Sequence, residues 1–332
     1  MTKIKSIYEK YCSNKNVCLT IINDTYIDGD FLEKYLTLIL KLKAVLAGSE
    51  FFFSFDILFY NIDYITYISV GHGVSFFKHF LYSKNNYYGY GRYNKILIPP
   101  SNTLISVAKN YGWKDENIIK INLPRWDKYN DIENFNKKEQ TKNIFIMFTW
   151  RVTKRRKDIS KLYFQNINGL LNNDFLIKYL NKYKVTLYFT FHRKIINKSK
   201  IKLNKNINYI EEEEISGILS NTSLIVSDFS SIIFDNIYRG KPFVIFVPDS
   251  KEPHLNDIYD ESYSNLIKDI KDRTIFFQNI YFNIEDTVKK INYYIKNNFN
   301  LEPKLKDFYN NLGLKKENNN TIKFIEYLKN LK

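Results

Sequence analysis

The stretch from Thr222 to Asp249, TSLIVSDFSSIIFDNIYRGKPFVIFVPD, restricts the possible folds more than any other part of the chain. Leu224, Ile225 and Val226 form a short β-branched run of the kind that fills a strand buried on both faces. Ser227-Asp228-Phe229-Ser230-Ser231 follows at once, and hydroxyls with a carboxylate are the residue types that cap helix starts. Ile232, Ile233, Asn236 and Ile237 then fall at helical spacing, and Gly240 followed by Pro242 ends that helix in the usual order. Residues 243–247 form a second buried strand. In an open parallel sheet, ligands sit outside the carboxyl ends of the strands. A helix start at that place offers N–H groups and a positive dipole end to an anion. A phosphate-bearing ligand is therefore expected at residues 227–231.

The same alternation runs through all 332 residues. Strands are expected at 17–22, 50–59, 62–70, 93–98 and 117–121, with helices at 30–47 and 101–111. Residues 128–142 are dominated by Asn, Asp, Glu and Lys and read as a linker. A fresh buried strand at 143–148 opens a second half, with further strands at 185–191, 207–210 and 274–277. Helices are expected there at 159–171, 174–183, 213–219, 284–297 and 321–331. Both halves thus predict parallel, doubly wound α/β domains, spanning 1–135 and 143–332.

Composition narrows the partners. Lys and Arg outnumber Asp and Glu by 50 to 35, and a net charge of +15 suits contact with an anionic polymer or an acidic membrane face. A hydrophobic share of 44% excludes a disordered chain. Nucleic acid is argued against, because the 27 Tyr and 26 Phe sit mainly in strand-like apolar runs, where they serve a core. Cys12 and Cys18 are too few for a disulfide framework and have no metal-ligand neighbours, which points to a reduced, cytoplasmic setting. Residues 1–10 are charged and lack the apolar core of a signal peptide. The longest apolar run, 31–47, is broken by Glu33, Lys34, Lys41 and Lys43, so membrane contact is expected to be peripheral.

Polar residues recur at the expected strand exits. Glycines flank the histidine in Gly71-His72-Gly73, which lets the backbone turn tightly and expose the imidazole, and Lys78 makes the next segment basic. Arg125 and Asp127 follow the strand at 117–121, Thr149-Trp150-Arg151 the strand at 143–148, and His192-Arg193 the strand at 185–191. Each has a plainer explanation: a strand-end histidine is more often a hydrogen-bonded loop residue, and a Ser-rich turn can be only a cap. Either arginine can be a surface ion pair. Their joint occurrence at one topological place in two α/β halves favours a shared site. No GxxxxGK[ST] or GxGxxG loop is present, which argues against a P-loop or nicotinamide enzyme. No DxD and no His/Cys/Asp cluster implies a metal.

In order along the chain, these segments resemble the CDP-glycerol glycerophosphotransferases, the teichoic acid polymerases and primases of bacterial envelopes. Gly71-His72-Gly73 with Lys78 is similar to that family's aromatic-HGTP stretch and the Lys after it. Asn122 through Asp127 resembles its G-x-P-R-x-D, and Phe148-Thr149-Trp150-Arg151 its P-T-W-R. Phe191-His192 is similar to its strand-end H-P pair. Ser227 through Asp235, then Lys241-Pro242, resembles its T-D-Y-S-S-x-x-F-D and K-P. The resemblance runs over residues 30–250. Val74-Ser75 in place of Thr-Pro, Arg193 in place of Pro and Asn122 in place of Gly depart from it, at positions that can alter the acceptor or the polyol carried by the donor.

The resemblance implies a GT-B architecture: two Rossmann-like domains facing each other across a cleft, the first binding an acceptor and the second a nucleotide donor. It implies transfer of glycerol phosphate, or a related polyol phosphate, from CDP-glycerol or another CDP-polyol to a hydroxyl of a capsule, teichoic-acid-like or lipopolysaccharide polymer, releasing CMP. No cofactor or metal is implied. On that reading His72 and His192 are catalytic, with His72 as base on the acceptor hydroxyl. Arg151, Arg193, Ser227, Asp228, Ser230, Ser231 and Asp235 then bind the donor, and Gly71, Gly73, Lys78, Arg125 and Asp127 serve the acceptor and the cleft. The acceptor is expected to be an anionic polymer or lipid-linked, met at the cytoplasmic membrane face. A GT-B glycosyltransferase using a nucleotide sugar is the alternative that shares the fold and the phosphate site.

Overall fold

A computed structural model describes residues 51–54, 66–69, 94–110, 112–129, 142–149, 161–191, 200–211, 214–228, 230–249 and 279–330. The chain divides into two units, Met1–Asp127 with Glu317–Lys332, and Lys128–Lys316.

In the first unit, β1 (Phe51–Ser54), β2 (Thr66–Ser69), β3 (Lys95–Ile98) and β4 (Ile118–Lys120) pair in parallel and in chain order. Helix α1 (Asn102–Asn110) links β3 to β4 and starts where the Pro-Pro-Ser segment places it. The Ser101 hydroxyl oxygen accepts from the Leu104 N–H at 3.3 Å, the geometry of an N-cap. Leu104, Val107 and Ala108 form its buried stripe.

The second unit opens with β5 (Asn143–Phe148), α2 (Lys161–Leu171), α3 (Asp174–Tyr183), β6 (Thr186–Phe191) and β7 (Ile207–Tyr209). It continues with α4 (Ile215–Ser220), β8 (Leu224–Ser227), α5 (Ile233–Arg239) and β9 (Phe243–Phe246). It closes with β10 (Ile280–Tyr281), α6 (Ile284–Lys296) and α7 (Pro303–Leu312). The six strands are parallel, in the order β10-β9-β8-β5-β6-β7. From β5 the chain steps outward to β6 and β7, then returns to the other flank of β5 for β8, β9 and β10. The order therefore reverses between β5 and β8, the switch point beside which doubly wound sheets bind ligands.

Both faces of this sheet are covered, which explains the unbroken apolar runs. Ile144, Ile146, Leu224, Val226, Val244 and Phe246 pack under Tyr163, Ile167 and Leu170 of α2 and Val288 and Ile291 of α6. The alternating residues Phe145, Ile225, Phe243 and Ile245 are equally buried. Helix α6 starts at a reciprocal cap: Asn283 accepts from the Asp286 N–H at 2.8 Å and its amide donates to the Asp286 carboxylate at 2.9 Å. Gly240 ends α5 at φ +69°, a conformation that glycine adopts without strain.

The last helix, α8 (Asn320–Asn330), belongs with the first unit. The expected domains ended the first at 135 and ran the second to 332, whereas the chain passes between units at 127–128 and again at 316–317. The physical reason is Asp127, whose carboxylate caps α8. It accepts from the N–H groups of Asn320 and Thr321 at 2.8 Å each, from the Asn320 amide at 2.8 Å and from the Thr321 hydroxyl at 2.6 Å. Strands β5 to β9 lie within two residues of expectation, while α7 and β10 go beyond it. The elements expected at 17–22, 30–47 and 274–277 lie outside the described residues. Among the described residues no helix is long and apolar enough to cross a membrane.

Candidate active site

The exits of β8, β5 and β6 lie side by side. Met147 of β5 is in register with Ser227 of β8, and Phe148 with Phe191 of β6. Just past these positions the motif segments bond to one another. The Thr149 N–H donates to Asp228 Oδ1 at 2.9 Å, and the Thr149 hydroxyl donates to Asp228 Oδ2 at 2.7 Å. The Ser227 hydroxyl donates to the Met147 carbonyl, and the Tyr163 hydroxyl reaches the Thr149 carbonyl at 3.0 Å. Asp228 and Ser227 are wholly buried, so both act inside the protein, locking the two strand ends that flank the switch point.

From Ser230 the described chain leads into α5. The Ser230 hydroxyl oxygen accepts from the Ile232 N–H at 3.4 Å, and the Ser230 carbonyl from the Ile233 N–H at 3.3 Å. The Ser231 and Ile232 carbonyls accept from Phe234 and Asp235 at 3.1 Å each. These local bonds use the N–H groups of the first turn of a helix only seven residues long. The N–H groups of Ser230 and Ser231 themselves donate to nothing among the described residues. Ser230 is buried and Ser231 half-buried, which makes Ser231 the accessible residue in the described part of this loop.

Asp235 sits one turn further, 2% exposed, and its Oδ1 accepts from the Tyr129 hydroxyl at 2.6 Å. The Arg239 guanidinium lies 5.6 Å from the centre of the Tyr129 ring. Its Nη1 donates to the carbonyls of Leu219 and Thr222 at 2.8 and 2.6 Å, closing the C-terminal end of α4. Lys128 donates to the Ser216 hydroxyl at 2.7 Å. The beginning of the expected linker is thus packed structure. Sequence reasoning passed over Tyr129 and Arg239; the signal for Tyr129 was an aromatic side chain two residues past Asp127 in an otherwise polar run.

Arg125 is half-buried in the turn Pro124–Trp126 of the first unit, beside the fully buried Trp126. The Asp127 carboxylate is committed to the α8 cap. Gly71, His72, Gly73, Lys78, Arg151, His192 and Arg193 lie outside the described residues. The Lys241-Pro242 segment stands at the amino end of β9, away from the strand exits. The Tyr309 hydroxyl donates to the Lys241 carbonyl at 2.5 Å and its ring stacks on Phe243, so this segment docks α7.

Two parallel α/β units, the second reversing its strand order beside a Ser- and Asp-bearing loop, define a GT-B-like protein built from two Rossmann folds. Solved structures bear this out: the wall teichoic acid polymerase TagF superposes with a TM-score of 0.60 at 16% identity, over 98% of this chain and 84% of that one. The UDP-GlcNAc 2-epimerase of Methanocaldococcus jannaschii, in complex with UDP-GlcNAc and UDP, gives 0.54 at 13% identity over 93% and 85%. In sequence the chain is 27% identical over 296 residues to the minor teichoic acid biosynthesis protein GgaB of Bacillus subtilis (strain 168), covering 81% of this chain but only 29% of GgaB. The family model for CDP-glycerol:poly(glycerophosphate) glycerophosphotransferase matches residues 29–327, and the chain belongs to that family of enzymes.

Proposed function

We propose that this chain transfers glycerol phosphate from CDP-glycerol to a hydroxyl of a poly(glycerophosphate)-type envelope polymer. The observation that carries the reading is the family match across residues 29–327, which takes in the described strands of both units. The switch-point position of the loop at Ser227 to Ser231 supports it, since a nucleotide donor in a doubly wound sheet sits at that place.

In this mechanism the acceptor oxygen attacks the phosphorus that bears glycerol. A new P–O bond forms, the bridging P–O bond breaks, and CMP leaves with the electron pair. His72 takes the hydroxyl proton as general base. His192, Arg193 and Arg151, with the N–H groups of Ser230 and Ser231, neutralise the donor diphosphate, because such transfers depend on positioning and charge compensation. Gly71, Gly73, Lys78 and Arg125 serve the acceptor side, with Lys78 and Arg125 contacting acceptor phosphates. Asp127, Ser227, Asp228 and Asp235 serve as internal braces for these segments. The first unit takes the acceptor and the second the donor. A net charge of +15 suits work against an anionic polymer at the cytoplasmic membrane face.

Incubation with CDP-glycerol, CDP-ribitol and a set of UDP- and CMP-sugars, each with a polymer acceptor, tests the reading. Turnover is expected with CDP-glycerol above all. Turnover of a nucleotide sugar alone would replace this proposal with a glycosyltransferase.

A further inference from the structure

We propose that Tyr129 is a positioning residue for the donor loop, holding α5 and Ser230-Ser231 in register through Asp235 and tying that register to the chain segment joining the two units. The inference rests on the donor reading of the loop given above.

Tyr129 is 1% exposed and Asp235 2%, so their 2.6 Å hydrogen bond is made out of water. A segment that only joins two units needs no buried phenol bonded to a buried carboxylate, because leaving either group without its partner costs more than the bond returns. The contact also lies on the loop's own helix: Asp235 is four residues, about one turn, past Ser231. Arg239 lies over the phenol ring and is itself seated on the carbonyls that end α4. A shift of Tyr129 is therefore passed to the turn that carries Ser230 and Ser231, with α4 as the backstop.

Asp127, two residues earlier, is fixed in the first unit by its four bonds to α8. Between that anchor and Tyr129 stands Lys128 alone, held by Ser216. The second crossing, at 316–317, comes three residues before Asn320, which Asp127 also grips.

The full-length chain and its Tyr129→Phe variant, which keeps the ring and deletes the hydroxyl, test this. Hydrogen exchange on the ligand-free protein is read first. Amides 230–235 are expected to exchange about tenfold faster in the variant, while β5 and β9 keep their wild-type rates. Unchanged exchange at 230–235, or an equal rise across the whole second unit, overturns the proposal. In CMP release, the KM for CDP-glycerol is expected to rise about tenfold with kcat within about twofold. Asp235→Ala is expected to raise KM at least as much as Tyr129→Phe, and the double variant to be no worse than Asp235→Ala alone. A lowered melting point with a wild-type KM marks a structural bond only and overturns the positioning role. If the unaltered chain releases no CMP, the donor reading falls, while the exchange result still decides whether Tyr129 sets the loop.

Discussion

Asp228 holds Thr149 by two groups at once, its backbone N–H and its hydroxyl, across 79 positions of sequence. The bond closes the switch point of the second sheet, because each residue follows the last strand residue on its own side of the reversal. Removing the carboxylate with Asp228→Ala strands two buried donors and is expected to cost about 3 kcal/mol. For a unit of this size that lowers the melting midpoint by about 8 °C. Asp228→Asn keeps one acceptor and should lose about half as much. Calorimetry on the two variants checks the ordering, and an unchanged midpoint in Asp228→Ala contradicts the assigned role.

Asp127 makes a different prediction, confined to the last helix. Asp127→Ala removes the cap of α8 and should cost about 2 kcal/mol, the upper range for an N-cap. Faster hydrogen exchange in residues 321–326, with the second sheet unaffected, is the expected pattern. Thr321→Val, which deletes one of the four bonds, should reproduce a fraction of the effect.

Three tyrosines of the second unit set an alkaline limit. Burial pushes the Tyr281 phenol up to about 12, and burial likewise raises Tyr294 and Tyr309 well above the ordinary phenol range. In the unfolded chain these phenols ionise near about 10. Above that pH the unfolded state sheds protons that the folded state keeps. The stabilisation is therefore complete below about pH 10 and is lost as the pH rises toward about 12. Urea midpoints should fall between pH 9 and pH 11, and Tyr309→Phe should reduce that slope; a flat profile contradicts it.

The histidines carry the chemical prediction. His72→Ala and His192→Ala are each expected to reduce CMP release by at least about a hundredfold, the lower bound for losing a positioned base or charge partner. Melting midpoints should stay near wild type. A variant with full turnover loses its assigned role.

Much of the second unit was legible in the sequence because a strand buried on both faces leaves an unbroken apolar run, as at 144–148 and 243–247. Helix α3 could be read to its ends because Asn173 caps it and its buried Leu176 and Leu180 lie one turn apart. What the sequence left open was register. Whether a carboxylate faces solvent or a neighbouring strand depends on which residue lies opposite, so the pairing of Asp228 with Thr149 and of Asp235 with Tyr129 was not legible in the sequence. The same holds for Asp127, whose partners lie 193 and 194 residues away. Helix α7 did carry signals, with Pro303 at its first turn and Gly313 at its end. Strand β10, two residues long, has no periodicity to read.

The nucleotide product released from CDP-glycerol reports which atom of the donor is attacked. Attack at the phosphorus bearing glycerol leaves CMP, whereas transfer of the glycerol carbon would leave CDP. CMP is expected, with phosphate from the donor appearing in a new diester of the acceptor by phosphorus NMR. Release of CDP, or of CMP without any new diester, would contradict it.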